Sequence, residues 1–196
     1  MKKIILVFII SFLSYTVFSS PFGLKMGMNL EEIREACEEE PSFVKDDIYL
    51  INPVKKHPLF IQYYAYVNEK TGLYQIRARS ESIKCNDYGT EIQNSFNTVK
   101  DRIAKVYGKP KVINKVDSSL SEYIRSDQYW FYNFKHGAQQ LSAVWGEKTN
   151  LPDNLSNIVL QCTPDDSLLA FDRALLILYY NFNNTASVED EQDEVF

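Results

Sequence analysis

Residues 174–180 read Ala-Leu-Leu-Ile-Leu-Tyr-Tyr, an unbroken apolar run with Arg173 before it and Asn181 after it. A strand of this kind has no polar side to offer water, and the run is far shorter than the roughly 20 residues of a membrane helix. It predicts a central strand covered on both sides, and therefore a sheet with neighbours around it. The other extended segments predicted are Ile48–Ile51, Leu59–Val67, Leu73–Ile83, Gln128–Phe134, Leu141–Trp145 and Ile158–Cys162. Within Leu73–Ile83, Tyr74, Ile76 and Ala78 alternate with Gln75, Arg77 and Arg79, as in a sheet buried on one side only. Short turns at Asn68–Gly72 and at His136-Gly137 imply antiparallel pairing.

Two helices interrupt these strands. Asn29 followed by Glu32 has the form of a capping box, with Leu30, Ile33, Ala36 and Cys37 on one face and Pro41 as the stop. Thr90 and Gln93 form a second such pair. Behind them Ile92, Phe96, Val99, Ile103 and Val106 recur at spacings of four and three, and Gly108 and Pro110 close the helix. The chain thus reads as α+β, in two consecutive helix-plus-antiparallel-sheet units over residues 20–85 and 86–184. The stretch Lys111–Asp127 shows no clear period.

Lys2 and Lys3 precede an apolar run from Ile4 to Leu13 that fades into Val17, Phe18, Ser19 and Ser20, the pattern of a signal peptide over residues 1–19. A periplasmic or secreted protein is expected, with no membrane span once that segment is removed. Its loss takes away two lysines and no acid, moving the formal charge from −5 to −7. Five acids (Glu189, Asp190, Glu191, Asp193 and Glu194) fall in an end segment, 185–196, that reads as a solvated, disordered tail. No basic cluster suits a nucleic acid, so none is expected as partner.

In an oxidising compartment, three cysteines (Cys37, Cys85 and Cys162) allow one disulfide and one thiol. A Cys37–Cys85 pair and three buried thiols are both open readings. No nucleophile elbow, Walker loop, HExxH, dinucleotide glycine pattern or EF-hand is present, and neither a metal nor a cofactor is expected. His57, in Lys55-Lys56-His57-Pro58, and His136 read as loop and turn residues. Asp165 and Asp172 could serve a small secreted hydrolase as paired carboxylates, although Pro164-Asp165-Asp166-Ser167 is also strong turn composition.

The candidate binding residues are Gln62, Tyr64 and Tyr66 on one strand and Gln75, Arg77 and Arg79 on the next. In the register that the Asn68–Gly72 turn implies, all six share the polar side of the sheet. Tyr and Arg together are the composition of a protein-binding hot spot. A non-enzymatic protein engaging a protein or envelope component through this face is expected, with a structural or immunity-like envelope protein as a further alternative.

Gly27-Met28 leading into the first helix, and Tyr107-Gly108-Lys109-Pro110 ending the second, resemble SmpA/OmlA-type outer-membrane-assembly modules and the tandem β-lactamase-inhibitor proteins. That resemblance covers about a tenth of the chain and implies helices packed on an antiparallel sheet. Departures from it are the lack of a lipidation Cys near the leader, of Gly-x-Pro after the first helix, and a longer sheet segment. Residues 22–184 also resemble a group of small secreted bacterial proteins of undefined function. The shared marks are the Gly-Met start, Thr71-Gly72-Leu73, the Tyr-Gly-Lys-Pro end, a Trp strand and Leu178-Tyr179-Tyr180-Asn181-Phe182. This second resemblance implies no activity.

Overall fold

A computed structural model describes residues 20–147, 150–167 and 170–185. The expected leader and all but the first residue of the expected acidic tail lie outside them. Helix α1 (Leu30–Glu35) starts at the box the sequence shows: the Asn29 side chain accepts from the Glu32 amide and Glu32 accepts from the Asn29 amide, both at 2.9 Å. It ends well before Pro41, because the Glu38 amide is drawn to the Asn52 carbonyl and Cys37 bridges to Pro53. Strands β1 (Ser42–Lys45), β2 (Ile48–Ile51), β3 (Phe60–Asn68) and β4 (Gly72–Ser80) follow as an antiparallel meander. A two-residue strand, β5 (Ile83–Lys84), leads to helix α2 (Thr90–Tyr107).

Helix α2 buries Ile92, Phe96, Val99 and Ile103, whereas Val106, on the predicted stripe, is half exposed near the helix end. The predicted Thr90/Gln93 capping box is not made. Gly89, in the left-handed conformation (φ 64°, ψ 25°), is the cap residue, which puts Thr90 inside the helix. Asn86 accepts from the Thr90 amide instead, and the Gln93 side chain donates to the Tyr88 carbonyl.

Two further corrections concern the second half. Lys111–Val116, aperiodic in sequence, is an edge strand, β6, whose lysines and asparagine stay wet. The segment predicted as strand Gln128–Phe134 is a 3-10 turn over Asp127–Tyr129 running into helix α3 (Trp130–Lys135). Trp130, Phe131 and Phe134 are buried while Tyr132 is exposed, a helical pattern of contacts that prevails over aromatic strand propensity. Strands β7 (Gln139–Trp145), β8 (Leu155–Pro164) and β9 (Arg173–Phe182) complete the chain.

All strands join one antiparallel nine-stranded sheet in the order β1-β2-β3-β4-β9-β8-β7-β6, with β5 also on β9. The fold is α+β, and the sheet is continuous rather than divided between two units. Two meanders meet where β4 pairs with β9, so from either edge the strands run in chain order toward the centre. One core cluster joins Ile33 of α1, Ile92 and Phe96 of α2 and Trp130 of α3 to Tyr63, Ile76, Ile158 and Leu178 on the sheet. The helices therefore line one side of the sheet. Strand β9 is central as predicted, but Ile177 and Tyr179 on its other side are only half buried, screened by lateral neighbours rather than by a second layer.

The short sequence marks have structural roles. Gly27 donates to the Leu73 carbonyl and Leu73 to that of Met28, so the Gly-Met start lies along the Thr-Gly-Leu turn. A Cβ on Gly72 (φ 70°) would fall 2.2 Å from the Gly27 carbonyl oxygen. At the other mark, the Trp145 indole donates to the Gly108 carbonyl at 2.7 Å.

Candidate binding face

On the side of the sheet away from the helices, the register sets side chains in rows. Tyr66, Gln75, Asn181 and Asn157 form one row across β3, β4, β9 and β8; Tyr64, Arg77, Tyr179 and Val159 form the next; Gln62, Arg79, Ile177 and Gln161 the third. The six sequence candidates are thus brought together, all half buried. Sequence reasoning missed Tyr179, Asn181 and the β8 members. Their parity along β9 is readable, but nothing local tells that β9 lies beside β4.

The centre of this face is an arginine among tyrosines. The Arg77 guanidinium carbon sits 4.5 Å from the Tyr64 ring centre and 5.9 Å from that of Tyr66, a cation–π arrangement of about 0.5–1 kcal/mol at a wet site. Burial pushes the Tyr66 hydroxyl up, with Arg77 opposing, so this hydroxyl stays protonated and can donate. Arg79 donates to Gln62 at 3.2 Å, and an amide ladder runs from Gln75 to Asn181 to Asn157 at 2.6 Å per step. At one margin the Tyr74 hydroxyl donates to Asp47, and the Tyr74 and Tyr66 rings meet edge to face.

Charge is unevenly distributed. The chain has 26 acidic residues, yet none of the nine strands contains an Asp or Glu, while Lys45, Arg77, Arg79, Lys84, Lys111, Lys115 and Arg173 lie on strands. Neither Arg77 nor Arg79 makes an ion pair among the described residues; Lys111 pairs with Glu147 at the sheet edge. Behind the Ser82 and Ser167 hydrogen bonds, Arg79 adds a smaller electrostatic contribution to the lowered pKa of Asp165.

The other candidates are engaged elsewhere. Asp165 is buried and accepts from the Ser82 hydroxyl and the Ser167 amide, and these bonds hold its carboxyl below the usual range. A general acid needs the opposite shift. Asp172 pairs with Lys84 at 3.4 Å. His57 accepts from the Leu59 amide and lies 3.1 Å from Arg102; burial and that cation push its pKa down. Among the described residues no group of His, Cys, Asp and Glu is arranged to hold a metal ion. The Cys37–Cys85 bond is not made. All three cysteines are thiols: Cys37 sits on the bridge to Pro53, Cys85 beyond β5 with its thiol toward the Ile83 carbonyl, and Cys162 on β8.

No helix of the described residues is long and apolar enough to cross a membrane. No protein-family model matches the chain, and no curated protein or solved structure matches it either.

Proposed function

We propose that this is a periplasmic or secreted, non-enzymatic binding protein whose open sheet face engages an acidic protein or envelope component. The observation that carries the reading is the Arg77 guanidinium held between Tyr64 and Tyr66, without an ion-pair partner among the described residues, on a sheet that has no carboxylate on any of its described strands. Aromatic area supplies affinity on such a face, and uncompensated cations steer and select a negative partner. The leader-like sequence of residues 1–19 supports the compartment. The course of the two meanders, each running in chain order from an edge to the centre, supports a finer reading, in which each meander with its preceding helix is one unit of an ancestral pair.

The test is affinity recovery from native envelope and culture fluid at low and high salt, comparing the parent protein, a Tyr64→Ala/Arg77→Ala variant and a Lys105→Ala variant. Lys105 is exposed on α2, so its loss changes charge without touching the sheet face. One saturable acidic partner is expected, lost at high salt and in the double variant and kept in Lys105→Ala. Recovery that is equal for the parent and both variants, or insensitive to salt, refutes the reading.

A further inference from the structure

On the opposite side of the sheet, where α2, α3, β6 and β7 converge, lies a cleft of about 450 Å³, within the range of about 300–1,000 Å³ for small-molecule sites. Its walls are amides: Gln93, Asn94 and Asn97 from α2, Asn114 from β6, Asn133 from α3 and Gln139 from β7. We propose that this cleft is a binding site for an uncharged oligosaccharide, independent of the sheet face.

Two of these amides are built into the wall. Asn133 is 2% exposed and donates from Nδ2 to the Ile124 carbonyl at 2.7 Å; Gln139 is 8% exposed and donates from Nε2 to Asn114 at 2.7 Å and to the Gln140 carbonyl at 3.2 Å. Carbonyl acceptors fix both nitrogens, so the two amide oxygens are fixed as well. Neither oxygen receives a hydrogen bond among the described residues, and neither is among the sealed, unpaired side-chain atoms, which are those of Thr71, Thr163 and Asn184. Both oxygens therefore keep some solvent access, on residues that line the cleft, and are free to accept.

A ligand that suits them must bring donors. At the rim Asn94, Arg125 and Asp127 line the same cleft and make no side-chain hydrogen bond or ion pair among the described residues, which adds donors and acceptors of both kinds. One cation and one anion cancel, so the site has no net preference for a charged ligand. Hydroxyl groups donate and accept at once and match amides in both roles. The half-exposed Tyr88 supplies an apolar surface on which the face of a sugar ring can rest, while Trp130, buried between Gly89 and Phe134, contributes to the cleft wall without offering a ring face.

The test is a titration of the purified protein with chitotetraose, cellotetraose and maltotetraose, followed by calorimetry and by tryptophan fluorescence. The chain has two tryptophans, and Trp145 is fully buried away from the cleft, so Trp130 reports on occupancy. At least one tetraose is expected to saturate and to shift the Trp130 emission. Asn94→Ala and Arg125→Ala should each weaken it about tenfold with the thermal midpoint unchanged, and Tyr64→Ala/Arg77→Ala should leave it unaltered. Failure of all three sugars to saturate at millimolar concentration overturns the proposal. So does binding indifferent to both rim variants, or saturation by diglycine in place of the sugars, which would mark the Arg125 and Asp127 pair as a zwitterion site.

Discussion

Gly89 is the position at which the packing of α3 against α2 can be measured. Its φ of 64° is one an L residue adopts at a cost of about 1–2 kcal/mol. A Cβ there would also fall 2.2 Å from Cε3 and 2.4 Å from Cζ3 of Trp130. Trp130 is only 7% exposed and stacks on Phe134 at 5.2 Å, so it cannot swing aside freely, and forced overpacking of this kind costs about 1–3 kcal/mol more. Gly89→Ala is therefore expected to lose about 2–5 kcal/mol in urea unfolding at constant m. Gly137, with φ 76° and no atom within 4 Å of its would-be Cβ, supplies the comparison: Gly137→Ala should lose the backbone part alone, about 1–2 kcal/mol. In a Trp130→Ala background, Gly89→Ala should likewise shrink to that backbone part. Equal losses at Gly89 and Gly137, or a cycle with no coupling to Trp130, would refute the packing argument.

Two further outcomes concern titration and thiols. His57 has its pKa depressed in the folded state, so unfolding takes up a proton below its ordinary 6.5. Its contribution to stability is full above about 6.5 and is lost as pH falls through the lower folded value. Arg102→Ala should raise the His57 midpoint in an NMR titration; an unchanged midpoint removes Arg102 as a cause. Burial pushes the Cys85 thiol up to about 11 and the Cys162 thiol higher still, and both are buried while Cys37 is partly exposed. Iodoacetamide at pH 8 should label Cys37 first by mass spectrometry and reach the other two only in denaturant. Early labelling of Cys162 would contradict its place in the core.

Local chemistry made much of this fold legible. Asn68–Gly72 fixes a hairpin, and once its register is set Gln62 must face Arg79, Tyr64 must face Arg77 and Tyr66 must face Gln75. The Asn29 box and the Ile92 to Ile103 stripe are likewise written within a few turns of chain. What stayed hidden was decided at a distance. Trp130 and Phe131 look like strand residues until α2 and the Gly89 turn supply a surface that suits a helix. Lys111–Val116 carries too few apolar residues to announce a strand, because an edge strand need bury only one flank. Tyr179 belongs with Tyr64 and Arg77 only because β9 inserts between β4 and β8, a fact recorded in no segment shorter than the whole chain. The same distance explains the missed cleft, whose amides come from four elements and have no common spacing.

The meeting of β4 and β9 at the centre of the sheet also dictates a sequence of events. Leu73 to Ser80 can pair with β3 as soon as both are made, but their other neighbour is about 100 residues further on, as Arg77 opposite Tyr179 shows. Closing a loop of that length is slow because its entropy is lost before any contact rewards it. The first meander must wait with one flank of β4 unpaired until nearly the entire chain exists, and β9 then closes against β4 and β8 together. Strand β9 is thus the latch of the molecule, and a chain cut short of it would hold two half-sheets with adhesive edges and no means of joining them.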